Sequence, residues 1–167
     1  MHVFKYSKLS IMSKSHWMIR AGDGINFMKS NYAVWGVKRG RGGSIKTLVQ
    51  KFKEGDILWF FTSKKFCGKF IGMAEYTHMY DRKDEPLIKI NTLTNAEQNW
   101  VGGEDWSIQI HYKNLYITLS QNIKVCIQHP SIIFEYEKYR EQVEGNLIEH
   151  YNGYKFYAQC VERPFWV

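Results

Sequence analysis

Cysteine is scarce in this chain of 167 residues, and the three present form no pattern: Cys67, Cys126 and Cys160 are odd in number and far apart. That excludes a disulfide framework and points to a reducing compartment. No stretch is apolar for the ~20 residues that span a bilayer. The first fifteen residues are too polar and mixed for a secretory leader. The expectation is therefore an intracellular protein, cytoplasmic or nuclear, with no membrane partner. Catalytic and metal signatures are missing too. The six histidines (His2, His16, His78, His111, His129, His150) fall in no zinc-binding spacing, and no second pair completes Cys126 and His129. There is no P-loop, no GxSxG and no zinc-deaminase signature. Asp81, Asp84, Glu85, Glu104 and Asp105 are acids of the kind a metal-dependent nuclease uses, but a polar loop setting reads more simply as solvated charge. The expectation is a non-enzyme and a monomer, with no metal and no cofactor.

Acid is the second shortage, and it is local. Residues 1–53 hold eleven Lys/Arg against one acid, Asp23, whereas residues 54–167 hold twelve against fifteen. The net charge of +7 is thus the balance of a strongly basic N-terminal third and a mildly acidic remainder. Such lopsidedness suits a polyanion partner, although a basic soluble surface alone produces it as well.

Hydrophobic residues are plentiful at 44%, enough for one folded domain with a core. Aromatics reach 16%, with six tryptophans: Trp17, Trp35, Trp59, Trp100, Trp106 and Trp166. That exceeds what a core of this size needs, and indoles suit the stacking of flat ligands.

Along the chain, residues 1–15 read as an arm and Trp17–Arg20 as a strand, broken by the turn Ala21-Gly22-Asp23-Gly24. Val34–Val37 reads as another strand, followed by the basic glycine loop 38–43. Ser44 is placed as an N-cap, with Ile45, Leu48, Val49 and Phe52 on one face of a helix that Gly55 stops. Residues 56–62 are almost continuously apolar, which predicts a strand buried on both faces, and 69–76 return as its hairpin partner. Residues 81–105 read as loop. Residues 106–112 and 123–127 read as strands, 130–144 as a helix and 154–157 as a closing strand. Five to seven strands with two or three helices predict an α+β fold with a curved sheet or small open β-barrel. No linker divides residues 1–167.

Four stretches, in this order, resemble the YTH family, readers of N6-methyladenosine in RNA within the wider PUA-like fold that also includes EVE domains. They are HWMIRAGDGINF (16–27), AVWG (33–36), GDILWFFTSKKFCGKFIGMAEY (55–76) and NWVGGEDW (99–106). The likeness covers residues 16–127, and 128–167 depart from it. It implies a PUA-like sheet flanked by helices. It also implies a base cage with Trp35 and Trp100 as facing walls, and Asn26 as a hydrogen-bond donor to the base. Trp106 is either a third wall or a strand core residue, and Asn26 is alternatively a turn cap. Arg20 stands where the family has Lys and is expected to meet a phosphate. Ala21 and Gly36 replace typical serines, leaving their backbones for base contacts. Lys38, Arg39 and Arg41 follow the Trp35 strand and are expected to meet phosphates, with Lys64 and Lys65 behind them. The implied partner is RNA carrying methylated adenine. A modified base in DNA, in the EVE manner, is the alternative, and a protein-interaction module using exposed aromatics is a third.

The chemistry suits that assignment. Stacking a base on an aromatic face is worth ~1–3 kcal/mol. Burying one methyl gains roughly 0.8 kcal/mol. An unmethylated amine strands an N–H among the rings at a cost of ~1–3 kcal/mol.

Overall fold

The structure, a computed structural model, describes residues 14–84, 91–102, 106–118, 131–139 and 160–165. In chain order the elements are strand β1 (His16–Arg20), helix α1 (Ile25–Lys29), strand β2 (Val34–Val37), helix α2 (Ser44–Val49), strands β3 (Ile57–Phe61) and β4 (Phe70–Asp81), helix α3 (Asn95–Gln98), and strands β5 (Ile108–Thr118), β6 (Ile133–Glu135) and β7 (Cys160–Glu162). The fold is α+β. One mixed sheet, in the order β2-β5-β4-β3-β1-β6, curls strongly into a half-barrel, with β7 joined to β5. β1 and β3 are parallel, and the other pairs are antiparallel. β4 lies along most of one edge of β5. β2 and β7 divide the opposite edge, β2 on Ile108–His111 and β7 on Tyr116–Thr118.

β3 is buried at every position, as its apolar run predicts. Leu58 and Phe60 join Trp17, Ile19 and Phe27 in the main core. Trp59 stacks against His16 and meets Phe70, while Phe61 meets Phe134. Burying an indole N–H is tolerable only with an acceptor. Trp17 Nε1 donates to Asp56 at 2.9 Å, and Trp59 Nε1 donates to His16 Nδ1 at 2.8 Å. These two tryptophans are structural.

Several expectations need correction. The helix expected to run to Gly55 ends at Val49. Ser44 is its first residue rather than its cap, because the cap is Gly43 at φ 77°. The 81–105 segment is not all loop: Thr94 and Glu97 form a reciprocal capping box that starts α3. The strand expected over 106–112 runs from Ile108 to Thr118. Residues 133–135, expected within a helix, form β6 instead. There Ile133 and Phe134 pair with Ile19 and Met18, covering what is otherwise an open edge of β1. The arm over 1–13, the strands expected at 123–127 and 154–157, and most of 128–167 lie outside the described residues. Among the described residues, no helix is long and apolar enough to cross a membrane.

Candidate base-binding site

A cleft of about 270 Å³ opens where the ends of β1, β2 and β3 meet. One rim is the turn from Arg20 to Asp23, with Asn26 behind it. The floor is Trp35–Lys38, and Ser63, Trp106 and Ile132 close the remaining sides. Seven residues singled out in the sequence therefore converge here: Arg20, Ala21, Asn26, Trp35, Gly36, Lys38 and Trp106. The volume lies just under the ~300–1,000 Å³ of sites for drug-sized ligands, a scale fit for one flat ring system.

Backbone bonds set the rim. Ala21 N–H donates to Phe61 O at 2.8 Å, continuing the β1–β3 pairing one residue further. Gly24, at φ 84°, then reverses the chain, and its N–H donates back to Ala21 O at 2.8 Å. Ser63 N–H donates to Gly22 O at 2.8 Å, which ties the rim to the β3–β4 hairpin. On the floor, the absence of a side chain at Gly36 is what the packing uses. A Cβ there comes within 2.4 Å of Trp106 Cβ, 2.8 Å of Trp106 Cγ and 3.0 Å of Trp100 Cζ3. Trp106 thus rests directly on the β2 backbone, and Lys38 Nζ lies 5.8 Å from its ring centroid.

Trp35 and Trp100 do not face each other across a slot. Their rings meet edge to face, with centroids 5.4 Å apart and planes at 70°. A sandwiched base requires near-parallel rings about 7 Å apart, two van der Waals separations. Trp100 is 6% exposed, does not line the cleft, and donates its Nε1–H to Ser30 Oγ at 2.7 Å. Its role is corrected from wall to support: it holds Trp35 from behind. Among the described residues, the tryptophans that line the cleft are Trp35 and Trp106.

Asn26 also differs from its expected role. Its amide makes a two-point clasp with the Val101 backbone, Nδ2 donating to Val101 O and Oδ1 accepting from Val101 N–H, each at 3.0 Å. The amide that the resemblance offers to a base is used to pin the backbone at Val101, next to Trp100. Arg39 is committed elsewhere as well. It ion-pairs with the buried Asp81, lies 4.0 Å from Asp84 and does not line the cleft. Arg41, Lys64 and Lys65 stand outside the cleft and are exposed, the lysines on the turn that follows Ser63.

The polar groups of the cleft are few. Arg20 donates to Ser131 O at 2.5 Å and lies over the rings of Phe61 and Phe134, and burial lowers its pKa from the usual value. Trp35 Nε1–H is buried and finds no acceptor among the described residues. The Asp23 carboxylate stands at the rim, where it accepts from Ile25 N–H at 2.9 Å. Asp23, Ser63 and Ile132 were not singled out in the sequence. The turn composition around Asp23 places it in the rim, but nothing local announces Ser63 or Ile132.

Beside the cleft, Asp81 anchors a charged network. Burial alone pushes its carboxyl up, but the Ser107 hydroxyl, the Lys83 amide and Lys46 outweigh that and hold it at about 2. Elsewhere on the sheet His78 and His111 stack with centroids 4.4 Å apart, and burial, with His78 alongside, pushes His111 down to about 4. Among the described residues there is no cluster of His, Cys, Asp or Glu able to hold a metal ion.

The chain matches no protein-family model and no curated protein.

Proposed function

We propose that this protein is a nucleic-acid-binding module that receives one modified base, N6-methyladenine in single-stranded RNA, in the cleft between Trp35 and Trp106. The observation that carries the reading is the convergence of two indoles on one small, largely apolar cleft with basic residues at its mouth. Trp106, only partly buried, offers a ring for stacking, worth ~1–3 kcal/mol per base. Trp35 offers an apolar wall. The Asp23 carboxylate accepts the single N–H that a methylated exocyclic amine retains. The methyl group gains from apolar enclosure, whereas a second N–H directed into the same space loses its hydrogen bonds to water. Asn26 and Trp100 act indirectly, Asn26 by fixing the backbone at Val101 next to Trp100 and Trp100 by supporting Trp35.

The test is a titration of short oligonucleotides that differ only in one N6-methyl group, in RNA and DNA forms. The reading expects methylated RNA to bind tenfold or more tightly, and Trp106→Ala to abolish that preference. A preference confined to DNA moves the ligand to a modified base in DNA. Equal affinity for methylated and plain oligonucleotides refutes base reading.

A further inference from the structure

A second, wider groove begins where the base cleft ends. It encloses about 800 Å³ and is lined by Lys38–Gly43, Lys83 and Ser107. Lys38 lines both spaces, so the two adjoin at that residue. Among the described residues two carboxylates lie beside this groove, and both are matched. Asp81, buried, ion-pairs with Arg39 and with Lys46 at 3.0 Å and accepts from the Ser107 hydroxyl at 2.5 Å. Asp84 holds Lys46 at 2.6 Å. Arg39 and Lys46 are therefore part of the wall. Arg41 and Lys83 differ: both are exposed, and among the described residues neither has an ion-pair partner. Between them the lip is bare, since a Cβ at Gly42 or Gly43 would meet nothing within 4 Å.

We infer that this groove holds a phosphodiester group next to the base in the cleft, with Arg41 and Lys83 as its cations and Lys38 at the junction. The planar fork of Arg41 suits two non-bridging oxygens at once, and Lys83 supplies a point charge. Arg39, which the sequence ranks equally with Arg41, is instead a brace that fixes the loop through Asp81. The inference rests on the base-reading proposal for which nucleotide sits here, but its electrostatic consequence is separately measurable.

The experiment compares the full chain with the double variant Arg41→Gln, Lys83→Gln, by fluorescence anisotropy on methylated and plain single-stranded RNA across a salt series. Each lost phosphate contact makes the slope of log affinity against log salt shallower by about 0.7 for a single strand, and because Arg41 and Lys83 share one phosphodiester group the double variant is expected about 0.7 shallower. Both RNAs should weaken by the same factor, with the thermal midpoint unchanged. Arg39→Gln should instead lower the midpoint. An unaltered slope overturns the groove assignment even if methyl preference is intact. A shallower slope in a protein that binds both RNAs equally supports the groove and refutes the base reading.

Discussion

Gly36 lies directly beneath Trp106, so close that a single added methyl group would stand 2.4 Å from the Trp106 Cβ. The floor and one wall of the cleft are therefore one packing unit. Gly36→Ala is expected to displace Trp106 and to destabilise the fold by about 1–3 kcal/mol, the usual effect of overpacking. Urea unfolding measures the stability, and titration with methylated RNA measures the accompanying loss of affinity. A variant as stable and as tight-binding as the parent contradicts this packing.

Trp100 and Trp106 should separate by phenotype. Trp100 is interior and bonded to Ser30. Trp100→Ala therefore leaves a large void and removes one of the two hydrogen bonds of the Ser30 hydroxyl, which still donates to Asn26 O, costing ~3–5 kcal/mol of stability. Trp106→Ala should change stability far less and remove the preference for a methylated base. Thermal unfolding and paired oligonucleotide titrations distinguish the two. The assignment fails if Trp100→Ala is the mild variant.

Much of this arrangement is legible in the sequence. The run Ile57–Phe61 identifies the central strand because five consecutive apolar residues leave no polar face. Trp35, Gly36 and Trp106 are legible as neighbours only through the family resemblance, since they are brought together by the pairing of β2 with β5. The edge-on contact of Trp35 with Trp100 is not legible, because ring orientation is set by packing rather than by position in a motif. The β6 edge strand was hidden for a related reason. Ile133 and Phe134 fit a helical face equally well, and the competition is decided by an unpaired edge of β1 more than a hundred residues away. Nor does the sequence separate Arg39 from Arg41, since the distinction depends on a buried aspartate at the far end of β4.

That aspartate supports a third prediction. Asp81→Asn leaves Arg39 and Lys46 without their buried counter-charge. Both cations are partly solvated, so the loss should fall at or below the low end for a broken buried pair, ~2–3 kcal/mol. It should appear as a lower urea midpoint, together with faster amide exchange in the 38–43 loop. An unchanged midpoint removes Asp81 as the anchor.

His111 gives a fourth, through pH. Its folded pKa of about 4 lies below its ordinary 6.5, so the unfolded chain binds the proton first. Its contribution is complete above pH 6.5 and is lost progressively as pH falls from 6.5 to 4. The shift corresponds to at most about 3 kcal/mol, less for a ring that is only partly buried. His111→Gln should flatten the decline of the thermal midpoint over that window. The parent and variant declining in parallel contradicts the assignment.

The central claim is that a nucleobase enters the cleft between Trp35 and Trp106. It is tested most directly by the indole N–H resonances of nitrogen-15-labelled protein, titrated with a short single-stranded RNA carrying one N6-methyladenine. The Trp35 and Trp106 signals should shift as a base stacks beside their rings, while those of the buried Trp17 and Trp59 stay in place. Indole signals that do not respond to the methylated RNA, or that respond equally to plain RNA, contradict it.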